Sequence, residues 1–317
     1  MRFRLGRPDV ARYADRFDLP AAAPDSLGVT FLGVSTLMVD DGSSALLTDG
    51  FFTRPPMLAV ALGRIAPDES IIGECLTRAL AGGDRIPTVE AVIPVHSHFD
   101  HALDSAVVAR RTGAVLVGGL STANIGRGGG LPEDQIAVPV PGRAWERGPW
   151  SITLVESHHC PPDRFPGTID TPVRTPVKAS AYRCGEAWSI LVQHREGRSL
   201  LIQGSAGYVP GALVGRRAEV VYLGIGQLGV QPEEYITEYW EETVRAVGAR
   251  HVVLTHWDDF FRPLPMAPDD PPLRALPYAG DDLDVTLRVL GALAERDGTT
   301  LSFPTVWSRE DPWTTSG

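Results

Sequence analysis

The sequence predicts an α/β fold of two sheets flanked by helices. Short apolar runs outnumber helical patterns, the earliest runs are joined as a hairpin, and many runs end directly in polar residues. A doubly wound sheet with one helix for each strand would alternate the two patterns more regularly.

Residues 29–39 read as the first strand and 44–49 as the second, separated by the turn Asp40-Asp41-Gly42. Apolar runs at 91–95, 114–118, 152–156, 187–193, 199–203, 219–225 and 251–255 continue the series, with a late strand at 300–306. Helical patterns cover 57–81, 101–112, 232–247 and 281–296. In the third, Ile236, Tyr239, Trp240 and Val247 recur on one face; in the fourth, Leu283, Leu287, Leu290 and Ala294 align. The Pro/Gly-rich stretches 161–176 and 262–280 read as long loops, which inside a domain are usually functional or mobile. Residues 1–317 read as a single domain. Within it, 53–87 reads either as a helical insertion near the site or as a surface helix pair, and 262–317 as a C-terminal extension.

With 317 residues, 43% of them hydrophobic, the chain can bury a sizeable core. A net charge of -10 argues against binding nucleic-acid phosphates or anionic membranes. No apolar run approaches the roughly 20 residues that span a bilayer. Cys75, Cys160 and Cys184 form neither a disulfide framework nor a CxxC metal clip, which fits a reducing compartment. The expectation is a cytoplasmic protein acting on a small-molecule substrate, with homo-oligomerisation left open.

The histidines carry the chemistry. His96, His98 and His101, the pair His158-His159, and His256 all fall at strand-end segments, whereas His194 and His251 sit inside strand patterns. Neutral imidazole binds divalent metals, and a nearby carboxylate coordinates the metal or orients a ligand. The run His96-Ser97-His98-Phe99-Asp100-His101 packs four such groups into six residues directly after a strand. Such a loop can turn His96 and His98 to one metal and Asp100 and His101 to another.

This segment resembles the HxHxDH signature of the metallo-β-lactamase superfamily, and further segments match in the expected order over roughly residues 28–260. The resemblance implies a four-layer αβ/βα sandwich with two mixed sheets. It implies that Asp49, in Leu46-Leu47-Thr48-Asp49, supports the metal loop from outside. His159 is implied as the third ligand of the first metal, with His158 as the alternative, and His256 as the last ligand. Phe31-Leu32-Gly33-Val34-Ser35-Thr36 followed by Leu47-Thr48-Asp49-Gly50 resembles the ascorbate-6-phosphate lactonase-like group, itself similar to the N-acylphosphatidylethanolamine-hydrolysing phospholipase D enzymes.

One departure changes what the resemblance implies. Where relatives often place a metal-bridging aspartate, Leu200-Leu201-Ile202-Gln203-Gly204-Ser205 presents Ser205, whose neutral hydroxyl is a much weaker ligand. Asp258 or Asp259 is the candidate substitute; the competing reading is a loop carboxylate paired with Arg262.

The implied activity is metal-dependent hydrolysis of a phosphodiester, lactone or other ester, using one or two Zn2+ ions, with Mn2+ or Fe2+ as alternatives. Asp100 is the candidate to orient or deprotonate water, and His101 or His256 to stabilise the leaving oxygen if their metal site is empty. The competing function is a metal-binding regulatory or ligand-binding protein that lost hydrolysis with the bridging carboxylate. For substrate contacts, Phe52, Trp257 and Phe260 offer an apolar entrance, and Arg54 and Arg262 an anion contact.

Overall fold

The computed structural model describes residues 4–81 and 86–314; residues 82–85 of the 53–87 segment lie outside the described residues, as do both ends of the 1–317 span. Among the described residues, fourteen strands form two seven-stranded sheets. The strands are β1 (Gly28–Phe31), β2 (Leu37–Asp40), β3 (Ser44–Thr48), β4 (Thr88–Ile93), β5 (Val115–Val117), β6 (Ile136–Ala137), β7 (Ala144–Arg147), β8 (Trp150–Ser157), β9 (Ala187–His194), β10 (Ser199–Gln203), β11 (Val220–Gly224), β12 (His251–Thr255), β13 (Thr300–Ser302) and β14 (Arg309–Glu310). The first sheet runs β14-β1-β2-β3-β4-β5-β6 and the second β13-β12-β11-β10-β9-β8-β7. Both are mixed. In the first, β3, β4, β5 and β6 pair in parallel beside an antiparallel meander; in the second, β10 to β13 are parallel and β7 to β10 antiparallel.

The expected strand 29–39 is two strands. Gly33 and Val34 adopt φ of 91° and 54°, so the chain reverses and β1 pairs antiparallel with β2. An apolar run hides such a turn because Val34 sits in it as a buried residue, against its conformational preference. The late strand ends at Ser302 rather than 306.

Among the described residues, seven α-helices cover the sheets: α1 (Met57–Leu62), α2 (Glu69–Leu80), α3 (Phe99–Ala102), α4 (Ser105–Thr112), α5 (Leu120–Gly128), α6 (Glu233–Trp240) and α7 (Leu283–Asp297). The expected helix 57–81 breaks between Leu62 and Glu69, where Pro67 intervenes and Asp68 caps α2 by accepting from the Ser70 and Ile71 amides. A single turn of π-helix, Glu241–Arg245, prolongs α6.

The layers follow from which faces are apolar. Leu46, Ala91 and Ile93 of the first sheet meet Ile152, Ile190 and Ile202 of the second in the largest core. On the outer face of the first sheet, Leu47, Val89 and Val92 pack with Ile72, Leu76 and Val108 from α2 and α4. On the far side, Ile236, Tyr239, Leu287 and Leu290 of α6 and α7 join the second sheet. This is the αβ/βα sandwich. Residues 262–314 are woven into both sheets through β13 and β14.

Candidate metal centre

Every residue of the centre leaves a strand end. Asp49 follows β3, the loop His96–His101 follows β4, His159 follows β8, Ser205 follows β10, and His256 follows β12. Glycines let these loops meet closely. A Cβ on Gly226 would stand 2.5 Å from His256 Nδ1, and one on Gly204 2.4 Å from the Val95 side chain.

Two donor sets converge. One ligand atom each from His96, His98 and His159 lies within 4.8 Å of the others, and the same holds for Asp100, His101 and His256. His159 belongs to the cluster and is half-buried, while His158 is exposed.

The hydrogen bonds show which nitrogens are free to donate. His98 Nε2 faces two acceptors, Asp163 Oδ1 at 3.2 Å and the Phe165 carbonyl at 3.4 Å, so it carries the hydrogen and leaves Nδ1 as a lone pair 3.0 Å from His96 Nε2. His159 Nδ1 donates to the Cys160 carbonyl at 2.6 Å, freeing Nε2. His101 Nδ1 lies 2.7 Å from Asp49 Oδ2, and its Nε2 is buried with no hydrogen-bond partner, 3.7 Å from Asp100 Oδ2. His256 Nε2 is 3.6 Å from the same carboxylate oxygen. Lone pairs aimed at one another in a buried space fit a divalent cation.

The electrostatics distinguish the sets. Burial, reinforced by the neighbouring imidazoles, holds His96 far below the usual histidine range; burial also lowers His98, and His159 falls to about 4. All three are neutral donors at pH 7. In the other set burial opposes charge, yet His101 and His256 outweigh it and keep Asp100 ionised, while Asp49 and Asp100 raise His101.

Several expected residues are placed elsewhere. Asp258 stands in neither donor set: Oδ1 accepts from the Val34 amide at 2.9 Å and Oδ2 binds Arg54, with both side chains fully buried. This also corrects Arg54, which is committed to that pair rather than to a substrate anion. Asp259 pairs with Arg7 at 3.1 Å and Arg262 at 3.4 Å, so the loop-carboxylate reading holds for it and Arg262 is exposed beside it. Phe52 is buried with Leu32, Met38 and Leu47. Trp257 is buried against Phe17 and Phe303. Following a ligand in sequence does not decide which face a side chain takes, and both rings turn into the core. Phe260 does reach the centre, half-buried with its ring 5.9 Å from His256 and 6.3 Å from Phe99. Ser205 Oγ accepts from the Cys160 amide at 3.0 Å, tying it to the residue after His159.

Three groups beside the centre carried no sequence signal. Asp163 meets His98, Cys184 stands next to both, and Phe165 packs its ring 6.2 Å from His98. They come from the stretch 161–184, remote from the signature in sequence; only the length of the 161–176 loop hinted at a role.

No family model matches the chain. A UPF0173 metal-dependent hydrolase from Anaeromyxobacter dehalogenans (strain 2CP-C) is 26% identical over 144 residues, 44% of this chain and 45% of that protein. The chain thus spans less than half the length of the curated relatives it matches. Among solved structures, Igni18, a novel metallo hydrolase from Ignicoccus hospitalis, superposes over 89% of this chain and 96% of its own at 17% identity and a TM-score of 0.51. A possible metal-dependent hydrolase from Veillonella parvula covers 90% and 98%, at 13% identity and a TM-score of 0.52. These likenesses establish a shared fold.

Proposed function

We propose that the chain is a zinc-dependent hydrolase of the metallo-β-lactamase fold superfamily, acting on a phosphodiester, lactone or other ester. The observation that carries this is the convergence of two donor sets, in which His98 Nδ1 lies 3.0 Å from His96 Nε2 and the buried His101 Nε2 has no hydrogen-bond partner. His96, His98 and His159 would hold a first ion, and Asp100, His101 and His256 a second. Three imidazoles suit zinc, and the carboxylate of the second set also suits Mn2+ or Fe2+. A bound divalent cation supplies Lewis acidity, acidifying water and polarising a carbonyl or phosphoryl oxygen.

The chain's own groups supply the rest. Asp100 is ionised and acceptor-only, so it orients the attacking water by taking a hydrogen bond from it. The water oxygen bonds to the carbonyl carbon or phosphorus as the bond to the ester oxygen breaks, and the proton that the water loses ends on the leaving oxygen. Where the second site holds no ion, His256, which lies between Asp100 and Phe260, is placed to stabilise the leaving oxygen. Phe165 beside His98 and Phe260 beside His256 put half-buried aromatic rings on both flanks, which supports a substrate with an apolar group near its scissile bond. Three free cysteines support a cytoplasmic setting.

Turnover of a panel of lactones, phosphodiesters and carboxylic esters by metal-replete protein tests the reading. Activity lost on chelation and in His96→Ala and His98→Ala supports it; metal-replete protein inert across the panel overturns it. Ser205 supports a second reading, a metal-binding protein without hydrolysis, because its hydroxyl is engaged by the Cys160 amide and offers no bridging charge. Gain of a second ion and of turnover in Ser205→Asp would favour that second reading.

A further inference from the structure

We propose that Asp163 is a positioning residue that fixes His98 as a metal donor and ties it to the 161–167 loop. The proposal rests on His98 being a ligand of the first ion. His98 has two nitrogens, and only one can face the centre; the other decides which tautomer is present and how the ring is turned. Asp163 Oδ1 stands 3.2 Å from His98 Nε2 and also accepts from the Phe165 amide at 2.9 Å. One carboxylate oxygen therefore sets both the ring and the first turn of the loop. It repeats for His98 what Asp49 does for His101.

The loop itself is anchored to the metal loop through backbone hydrogen bonds. Cys184 N donates to the Phe165 carbonyl at 2.8 Å, Gly185 N to Gly167 O at 2.9 Å, and Ser97 N to the Cys184 carbonyl at 2.8 Å. Ser97, between the two ligands His96 and His98, thus sits one strand-like step from Cys184, which sits one step from Phe165. A Cβ at Gly185 would stand 2.5 Å from Ser121 Cβ and 3.0 Å from Ser97 Oγ, so the chain passes closely between the two serines. Phe165 lies against the His98 ring, so a substrate pressing on this wall acts on the same short segment that holds the ligand. Asp163 links substrate wall and metal donor in one residue.

The test is metal affinity, read without turnover. Metal-free wild type, Asp163→Ala and Asp163→Asn are titrated with Zn2+ against a chromophoric chelator, and with Co2+ for its visible spectrum. Loss of a partner of a ligating histidine costs 10–100-fold in affinity. Asp163→Ala should bind about 10–100-fold more weakly with a shifted Co2+ spectrum, and Asp163→Asn, whose amide oxygen still accepts from Nε2, should fall between. If Asp163→Ala does not fold, Asp163→Asn decides by the same readouts. Wild-type affinity and spectrum in the variants overturn the proposal. So does loss of one bound ion in Cys184→Ser, because His98, Asp163 and Cys184 would then be a metal site of their own. His96→Ala separates the two readings. If it weakens metal binding while the Asp163 variants do not, only the positioning role fails; if metal binds as described but no ester is turned over, only the hydrolase reading fails.

Discussion

Asp49 Oδ2 lies 2.7 Å from His101 Nδ1, with both side chains fully buried, while Asp49 Oδ1 accepts from the Val95 amide at 2.9 Å. One carboxylate from the end of β3 thus fixes the strand that enters the metal loop and the histidine that closes it. The Ser105 hydroxyl, bonding both the Asp49 and His101 carbonyls, locks the same corner.

Asp49→Ala should therefore weaken the second ion proposed at Asp100, His101 and His256 by about 10–100-fold while sparing the one proposed at the three-histidine set. Titration of metal-free protein with two-site fitting checks this. Equal weakening of both sites would place Asp49 differently.

Asp258→Ala should destabilise the fold without removing metal. Breaking a buried ion pair by deleting one partner costs about 3–5 kcal/mol, and here it strands the fully buried Arg54, whose Nε and Nη1 already lack partners. Urea unfolding and metal content measured side by side decide: unchanged stability with lost metal would return Asp258 to the ligand set.

Burial pushes Glu310 up to about 7, although the Thr305 amide donates to it. Between its unfolded value of about 4.5 and its folded value of about 7, the acid keeps its proton in the fold and loses it in the unfolded chain. Its contribution is full below the unfolded value and is lost as pH rises towards 7. Relative to wild type, Glu310→Gln should therefore gain about 2–3 kcal/mol between pH 5 and pH 8. Parallel stability curves in urea would contradict this.

Phe260→Ala should raise KM about tenfold for esters with a bulky apolar group and much less for short ones, consistent with losing part of an aromatic side chain's burial. Equal effects on both classes would remove Phe260 from the substrate wall.

The legible parts of the site were those compressed into short sequence. His96 to His101 come from one loop, and His159 and His256 stand within two residues of the end of an apolar strand, so residue type and spacing mark them. Of His158 and His159, the structure turns only the latter to His98. What sequence concealed depends on contacts far along the chain. Arg54 and Asp258 are 204 residues apart, and Asp163 reaches His98 from a loop with no periodicity. Phe52 and Trp257 show the opposite error, in which nearness to a ligand in sequence was read as nearness to the site. In the fold, the turn at Gly33 and Val34 was hidden in an apolar run, and the two-residue strands β6 and β14 are too short to show alternation.

The most direct measurement is anomalous scattering at the zinc edge from crystals grown with the metal, for wild type and His96→Ala. A peak enclosed by His96, His98 and His159 is expected in wild type and should vanish in the variant. A wild-type crystal with full zinc content and no peak among those three histidines would contradict this.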